Sequence, residues 1–215
     1  MSRTRPDRLS RRAVLAAATA ALATAAAAAA RPAVVTVLGD SITAGYGLPA
    51  AEAFPARLQA ALIRSGVAAS VRGAGVSGDT TAAALARVDF SVQADTSLCI
   101  VALGGNDLLQ GLDPRATRAN LTAIVRRLKA RHIRILLAGV AAPSAIGRSY
   151  AGDFNAVFGD VARSEKVPLY PDLLAGVGRN DGLKQADGLH PNAAGAAAIA
   201  GHMAPLVARL LRRGE

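Results

Sequence analysis

Two kinds of segment alternate along the chain after about residue 31. Short, unbroken apolar runs rich in β-branched residues are typical of buried parallel strands, and longer segments with apolar residues at helical spacing are typical of amphipathic helices. Apolar runs predict strands at Val34–Leu38, Leu98–Leu103, Ile133–Val140 and Val167–Tyr170, and a further strand is expected near Ala68–Arg72. The helical spacing predicts helices near residues 51–64, 81–88, 114–131, 151–165 and 193–211. This alternation predicts one α/β domain with a mainly parallel sheet.

Polar clusters follow three of the predicted strands. They are Asp40-Ser41, Ser77-Gly78-Asp79 and Gly105-Asn106-Asp107, and a fourth cluster, Asp187-Gly188-Leu189-His190, lies on a glycine-rich loop. The carboxyl ends of parallel strands meet at one edge of a sheet, where open α/β folds bind their ligands. We therefore expect the first three clusters to be neighbours in space, with the fourth on a loop that reaches the same edge.

The residue types in these clusters match the needs of nucleophilic catalysis. A serine hydroxyl is a poor nucleophile until a base takes its proton, and His190 is the histidine that lies in a polar loop near Ser41 in this arrangement. Asp187, three residues earlier, can orient the imidazole and stabilise its protonated form. The side chain of Asn106 and the backbone N–H groups of Gly78 and Ser41 are candidate oxyanion donors.

The first thirty residues predict an export signal. Arg11-Arg12 precedes a weakly apolar, alanine-rich stretch from Ala13 to Ala30, and small residues lie before Arg31. A basic region, an apolar middle and small residues are typical of a secretory signal, and the paired arginines favour the twin-arginine route. We expect residues 1–30 to be removed, residues 31–215 to form the domain, and the product to be periplasmic or secreted. The Sec route and an uncleaved membrane anchor are alternatives.

Composition narrows the class of partner. The net charge is +10, but much of the excess is arginine on predicted helix faces, and aromatic residues make up only 3%. Nucleic-acid binding needs basic residues interleaved with aromatics or a recognisable motif, so no nucleic-acid partner is expected. At most, the charge implies peripheral contact with an anionic lipid surface or attraction of acidic substrates. The single cysteine, Cys99, is interpreted as a small buried hydrophobe, and the histidines lack metal-ligand spacing. We expect no metal and no cofactor.

One glycine pattern favours a different class of protein. Gly73-x-Gly75-x-x-Gly78 fits the G-x-G-x-x-G pattern of a dinucleotide-binding loop and predicts a glycine-rich turn over residues 73–80. The acidic residue expected about twenty positions further on has no counterpart in the right context. A non-catalytic nucleotide- or flavin-binding module is therefore a distant alternative.

Four segments together resemble the SGNH (GDSL) hydrolase family. Residues 39–47, Gly-Asp-Ser-Ile-Thr-Ala-Gly-Tyr-Gly, resemble its first block, with Ile42 where the family motif has leucine. Residues 76–81 resemble the second block with Gly78 as its glycine, residues 103–107 the third with Asn106 as its asparagine, and residues 187–192 the fifth with Asp187 and His190. The resemblance is greatest to the bacterial periplasmic branch of thioesterases, lysophospholipases and arylesterases.

The resemblance implies a fold, an activity and roles for the site residues. The implied fold is a flavodoxin-like three-layer α/β/α sandwich with a five-stranded sheet in the order 2-1-3-4-5. The implied activity is hydrolysis of acyl esters and thioesters through an acyl-enzyme. Ser41 would be the nucleophile, His190 the base and Asp187 its orienting carboxylate, with Ser41, Gly78 and Asn106 as oxyanion donors.

The substrate is less closely defined by the sequence. Loop position predicts walls of an acyl pocket at Leu109, Leu112, Pro143 and Ile146. We expect a monomer that acts on a small-molecule acyl ester or thioester, lysophospholipids included. An O-acetylesterase of carbohydrates or cell-wall polymers using the same site is the alternative within the enzymes.

Overall fold

A parallel sheet forms the centre of the domain. The computed structural model describes residues 32–212, so the predicted export signal over residues 1–30 lies outside the described residues. The strands are β1 (Ala33–Gly39), β2 (Ala69–Gly75), β3 (Leu98–Ala102), β4 (Arg134–Ala138) and β5 (Leu169–Tyr170). They form a five-stranded sheet in the order β2-β1-β3-β4-β5, and every neighbouring pair is parallel. The predicted fold class and strand order are confirmed.

Helices cover both faces of the sheet. They are α1 (Ser41–Ala44), α2 (Phe54–Arg64), α3 (Thr81–Ser91), α4 (Gly105–Leu109), α5 (Pro114–Ala130), α6 (Arg148–Glu165) and α7 (Ala193–Arg212). Helices α2 and α7 share one hydrophobic core with alternate strand residues such as Val35 and Ile100. Helices α3, α5 and α6 share the other with Leu38 and Val101. Because successive strand residues enter opposite cores, the central strand β3 is buried and apolar at every position.

Cys99 and helix α7 each lie within a hydrophobic core. Cys99 on β3 is fully buried, and burial raises the pKa of its thiol to about 12, so it is a structural hydrophobe. Helix α7 is long and apolar enough to cross a membrane by composition alone. Its apolar stripe, which includes Ile199 and Met203, instead packs into the core shared with α2, as expected of a core helix.

The prediction of a glycine-rich turn at residues 73–80 was wrong for the first half of that segment. Strand β2 continues through Gly75, and the next residue, Val76, still donates its N–H to the carbonyl of Gly39 at 3.1 Å. A Cβ on Gly75 would collide with the backbone nitrogen of Ala44 and the hydroxyl of Thr43. The glycines therefore allow α1 to lie against β2, and the residues of the G-x-G-x-x-G pattern do not form a phosphate-binding loop.

Two short helices were missed by the sequence patterns. Helices α1 and α4, of four and five residues, begin directly after β1 and shortly after β3, where loops were expected. Elements this short contain too few turns for apolar periodicity to reveal them. They matter because α1 carries Ser41 and α4 carries Asn106.

Candidate active site

Ser41 is the first residue of α1, at the carboxyl end of the central strand β1. Asp40 caps this helix, since its Oδ1 accepts a hydrogen bond from the N–H of Ile42 at 3.1 Å and its carbonyl accepts one from the hydroxyl of Thr43 at 3.0 Å. Gly39 has no room for a side chain, because a Cβ there would lie 2.5 Å from the carbonyl oxygen of Ala102. These contacts hold the backbone of Ser41 in one position at the edge of the sheet.

The structure brings Ser41, His190 and Asp187 into one chain of hydrogen bonds. The Oγ of Ser41 lies 2.9 Å from Nε2 of His190, and Nδ1 of His190 lies 2.7 Å from Oδ2 of Asp187. The other carboxylate oxygen of Asp187 accepts from the backbone N–H groups of Leu189 and His190 at 2.9 and 3.0 Å. One carboxylate oxygen is thus used for the loop and the other for the imidazole.

The carboxylate of Asp187 is strongly favoured in its ionised form. The hydrogen bond from His190, reinforced by the two backbone N–H donors, lowers the pKa of Asp187 to about 2. An ionised partner on Nδ1 holds the proton of the neutral imidazole on that nitrogen and leaves Nε2 free to accept one. The arrangement can therefore remove a proton from the hydroxyl of Ser41.

Two residues to which the sequence analysis assigned no role support the imidazole. The ring of Tyr46 packs against that of His190, with centroids 4.7 Å apart and planes tilted by 36°. The side chain of Gln185 donates to the carbonyls of Tyr46 at 2.7 Å and Pro191 at 3.0 Å, and its backbone N–H donates to the carbonyl of His190 at 2.8 Å. Tyr46 and Gln185 lie far apart in sequence, so no spacing within the chain reveals their contact.

The predicted oxyanion donors lie at the same edge of the sheet, Ser41 on α1, Asn106 on α4 and Gly78 on the loop after β2. Gly78 is exposed and has a φ of +86°, a conformation that side chains rarely adopt, so its backbone geometry requires glycine. Asn106 donates one amide proton to the carbonyl of Asp79 at 2.9 Å, which ties α4 to the loop of Gly78. A second proton of the Asn106 amide is left for a ligand. The arrangement can supply hydrogen-bond donors to a developing negative charge.

An apolar cleft opens beside the serine. Its lining includes Ser41, His190, Tyr46, Phe54 and Ile199. Its described lining comes from α1, α2, α7 and the loops next to them. Phe54 and Ile199 were recognised only as helix positions, because apolar residues that line a cleft and those that fill a core follow the same spacing.

The predicted acyl-pocket walls lie elsewhere. Within the described part of the chain, none of Leu109, Leu112, Pro143 and Ile146 lines this cleft. Leu109 and Ile146 are 62% and 47% exposed, and the carbonyl of Leu112 accepts a hydrogen bond from the hydroxyl of Tyr150. These four residues stay a prediction for the acyl pocket.

Asp40, next to Ser41, is a buried acid whose ionised form is disfavoured. It is 3% exposed, and burial raises its pKa to about 6 in spite of the hydrogen bond from Ile42. The folded protein therefore binds this proton more tightly than the unfolded chain does. Ionisation of Asp40 therefore lowers the free energy of unfolding. This effect is complete above about pH 6 and disappears as the pH falls towards 4.

Replacing Asp40 with asparagine is expected to raise the free energy of unfolding at pH 8 by about 2 kcal/mol, because the amide keeps the oxygen that caps α1 and carries no charge. This gain should shrink as the pH falls from 6 to 4. Urea denaturation of both proteins at several pH values measures it. Asp113→Asn is the matched control, since Asp113 caps α5 in the same way with an exposed carboxylate. A gain that is the same at every pH contradicts the expectation.

The chain is similar to a known protein family and to several known proteins. The family model described as GDSL-like Lipase/Acylhydrolase family matches residues 37–198. Esterase TesA of Pseudomonas aeruginosa is 39% identical over 156 residues, which cover 72% of this chain and 78% of that protein. Thioesterase 1/protease 1/lysophospholipase L1 of Escherichia coli K12 is 36% identical over 157 residues, or 73% of this chain and 74% of that protein.

A solved structure shows the same likeness in three dimensions. The crystal structure of AlinE4, described as an SGNH-hydrolase family esterase, is 42% identical and superposes with a TM-score of 0.70 over 83% of this chain and 96% of that one. The family match, the relatives and the parallel sheet with its polar clusters at one edge all lead to the same assignment. The chain belongs to the GDSL-like lipase/acylhydrolase family and is a hydrolase of acyl esters and thioesters.

Proposed function

We propose that the chain cleaves its substrates through an acyl-enzyme formed on Ser41. The observation that carries the proposal is the continuous hydrogen-bonded chain from Asp187 through His190 to Ser41. The Oγ of Ser41 attacks the acyl carbonyl carbon, and its proton passes to Nε2 of His190. Asp187 keeps the imidazole oriented and stabilises the imidazolium that forms.

The tetrahedral intermediate breaks down in the direction of the acyl-enzyme. Its oxyanion is stabilised by the N–H groups of Ser41 and Gly78 and by the side-chain amide of Asn106. The bond between the acyl carbon and the leaving oxygen or sulfur breaks, and His190 gives its proton to that leaving group. A water molecule then attacks the acyl carbon while His190 takes its proton. The bond between the acyl carbon and the Oγ of Ser41 breaks, His190 returns the proton to that oxygen, and the free acid is released.

The proposal also covers the class of substrate, the location of the enzyme and its oligomeric state. The apolar cleft that includes Tyr46 and Phe54 supports a substrate with an apolar group next to its reacting carbonyl. A relative named as a lysophospholipase favours lysophospholipids among the substrates. The basic and alanine-rich residues 1–30 favour export by a cleaved signal to the periplasm or beyond, and we propose that the enzyme acts there as a monomer.

Labelling with a fluorophosphonate tests the acyl-enzyme proposal. The Oγ of Ser41 is expected to displace fluoride from phosphorus, which leaves a stable phosphonate ester on the peptide that contains residue 41. Mass spectrometry of a digest locates the adduct, while hydrolysis of an acyl ester and an acyl thioester is followed in parallel. Both activities should disappear in proportion to the labelling. Full activity in a protein that stays unlabelled, or an adduct at another serine, refutes the proposal.

A further inference from the structure

Arg87, on α3, has an unusual set of contacts for an arginine on a helix surface. Its side chain is 20% exposed, and its guanidinium makes four hydrogen bonds. Nε donates to Oδ2 of Asp79 at 2.6 Å, and one terminal nitrogen donates to the carbonyl of Ala74 at 2.9 Å and the hydroxyl of Ser91 at 2.8 Å. The other terminal nitrogen donates to the carbonyl of Gly39 at 3.0 Å.

The partners of Arg87 belong to the segments that carry the proposed oxyanion donors. The carbonyl of Gly39 is the last of β1, two residues before Ser41, and Ala74 lies near the end of β2. Asp79 follows Gly78 directly, and its carbonyl accepts the hydrogen bond from Asn106. A single guanidinium is therefore bonded to the serine strand, to the glycine loop and, through Asp79, to the asparagine helix.

The chemistry of arginine suits this position. A guanidinium presents donors in a rigid planar fork, so it can bind a carboxylate and two carbonyls that lie in different directions. The Asp79 side chain is 11% exposed, and a partly buried carboxylate without a cation would be costly. A lysine could replace the charge but not all of the directional hydrogen bonds.

We propose that Arg87 is a positioning residue that holds the Ser41, Gly78 and Asn106 donors in the arrangement that stabilises the oxyanion. This inference rests on the proposed function, since it assigns Arg87 to the same site. An oxyanion hole works only when its donors are fixed before charge develops. Loss of the Arg87 contacts is therefore expected to affect the transition state more than substrate binding.

Replacing Arg87 with methionine tests the inference. We expect kcat for a p-nitrophenyl acyl ester to fall about 100-fold, since a misplacement near 1 Å in a catalytic site has an effect of that size, while KM stays unchanged. The fraction of competent enzyme is measured by fluorophosphonate labelling carried to completion, and kcat is given per labelled site. Arg87→Lys is the milder variant, because it keeps the positive charge. It allows the same measurement if the methionine variant does not fold.

A double-mutant cycle shows whether Arg87 acts through the oxyanion donors. In an Asn106→Ala background, the further loss of kcat caused by Arg87→Met should be smaller than in the wild type, because one of the three donors that Arg87 positions is already absent. Independent, multiplicative losses overturn the proposal. So does a wild-type kcat per labelled site in either Arg87 variant, which would mean that Arg87 only stabilises the fold.

Two further variants complete the comparison. Arg126→Met is the matched control, because Arg126 on α5 also donates its Nε to a buried carboxylate, that of Glu165, at 2.8 Å, but packs against α6. It should keep the wild-type kcat. Ser41→Ala separates the two hypotheses: if it is inactive while Arg87→Met is fully active, only the Arg87 inference fails, and if Ser41→Ala stays active, the proposed function itself fails.

Discussion

Replacing Ser41 with alanine is expected to lower kcat for a p-nitrophenyl acyl ester by about 10⁴-fold or more, because the variant has no oxygen to attack the carbonyl. The hydroxyl makes its hydrogen bond with Nε2 of His190, so its loss removes little that holds the fold together. Residual activity would come from direct attack of water on the substrate, with the oxyanion donors stabilising the intermediate that forms. Steady-state kinetics with ester and thioester substrates measure the loss.

The control for this variant is another serine at the same edge of the sheet. Ser144 is exposed in the short turn after β4 and has no proposed part in the reaction. Ser144→Ala should keep wild-type kinetics and should still react with a fluorophosphonate, while Ser41→Ala should not. Near wild-type turnover by Ser41→Ala would remove Ser41 from the mechanism.

Asp187→Asn is expected to lower kcat by about 10⁴-fold at neutral pH, although the side chain changes by a single atom. The reason is that the two carboxylate oxygens of Asp187 accept hydrogen bonds from different donors. Oδ1 accepts two backbone N–H groups, so the amide oxygen of asparagine would take that place and its NH₂ group would face Nδ1 of His190. Nδ1 would then have to accept a hydrogen bond, and the imidazole proton would move to Nε2, where it blocks proton transfer from Ser41.

The matched control is Asp181→Asn. Asp181 is an exposed carboxylate earlier in the same loop, and its ion-pair partner, at 2.8 Å, is Lys184 and not the imidazole. Its replacement should leave kcat unchanged. Comparison of kcat and of the fluorophosphonate labelling rate for both variants decides the matter. A loss smaller than about 10-fold in Asp187→Asn would show that tautomer control by Asp187 is not needed.

Much of the fold follows from local patterns in the chain. The central strand β3 is apolar at every position because both faces of the sheet are covered, and the long helices have the spacing of one buried face. Asp113 and Pro114 mark the start of α5 where the structure has it, with the Asp113 side chain accepting from the N–H of Arg115. Parallel topology then brings Ser41 and Asn106 to one edge, so their proximity could be predicted without coordinates.

The features that could not be predicted depend on contacts between distant segments. The bond from Gln185 to Tyr46 spans 139 residues, and the bond from Arg87 to Gly39 spans 48. Neither residue stands out from an ordinary polar position in its own segment. The course of β2 through Gly75 was missed for the same reason, since the close approach of α1 that requires glycine there involves residues more than thirty positions earlier.

The sheet that separates the two hydrophobic cores also separates two kinds of evolutionary change. The cleft beside Ser41 draws Phe54 and Ile199 from the core of α2 and α7, whereas Arg87 lies on α3, which packs into the core on the opposite face. Substitutions that reshape the cleft can therefore accumulate in one layer of helices while the contacts of Arg87 in the other layer stay intact. Under the proposed roles of the cleft and of Arg87, we expect such an enzyme to diverge in the acyl groups it accepts, by natural drift or by directed evolution, without first losing its rate.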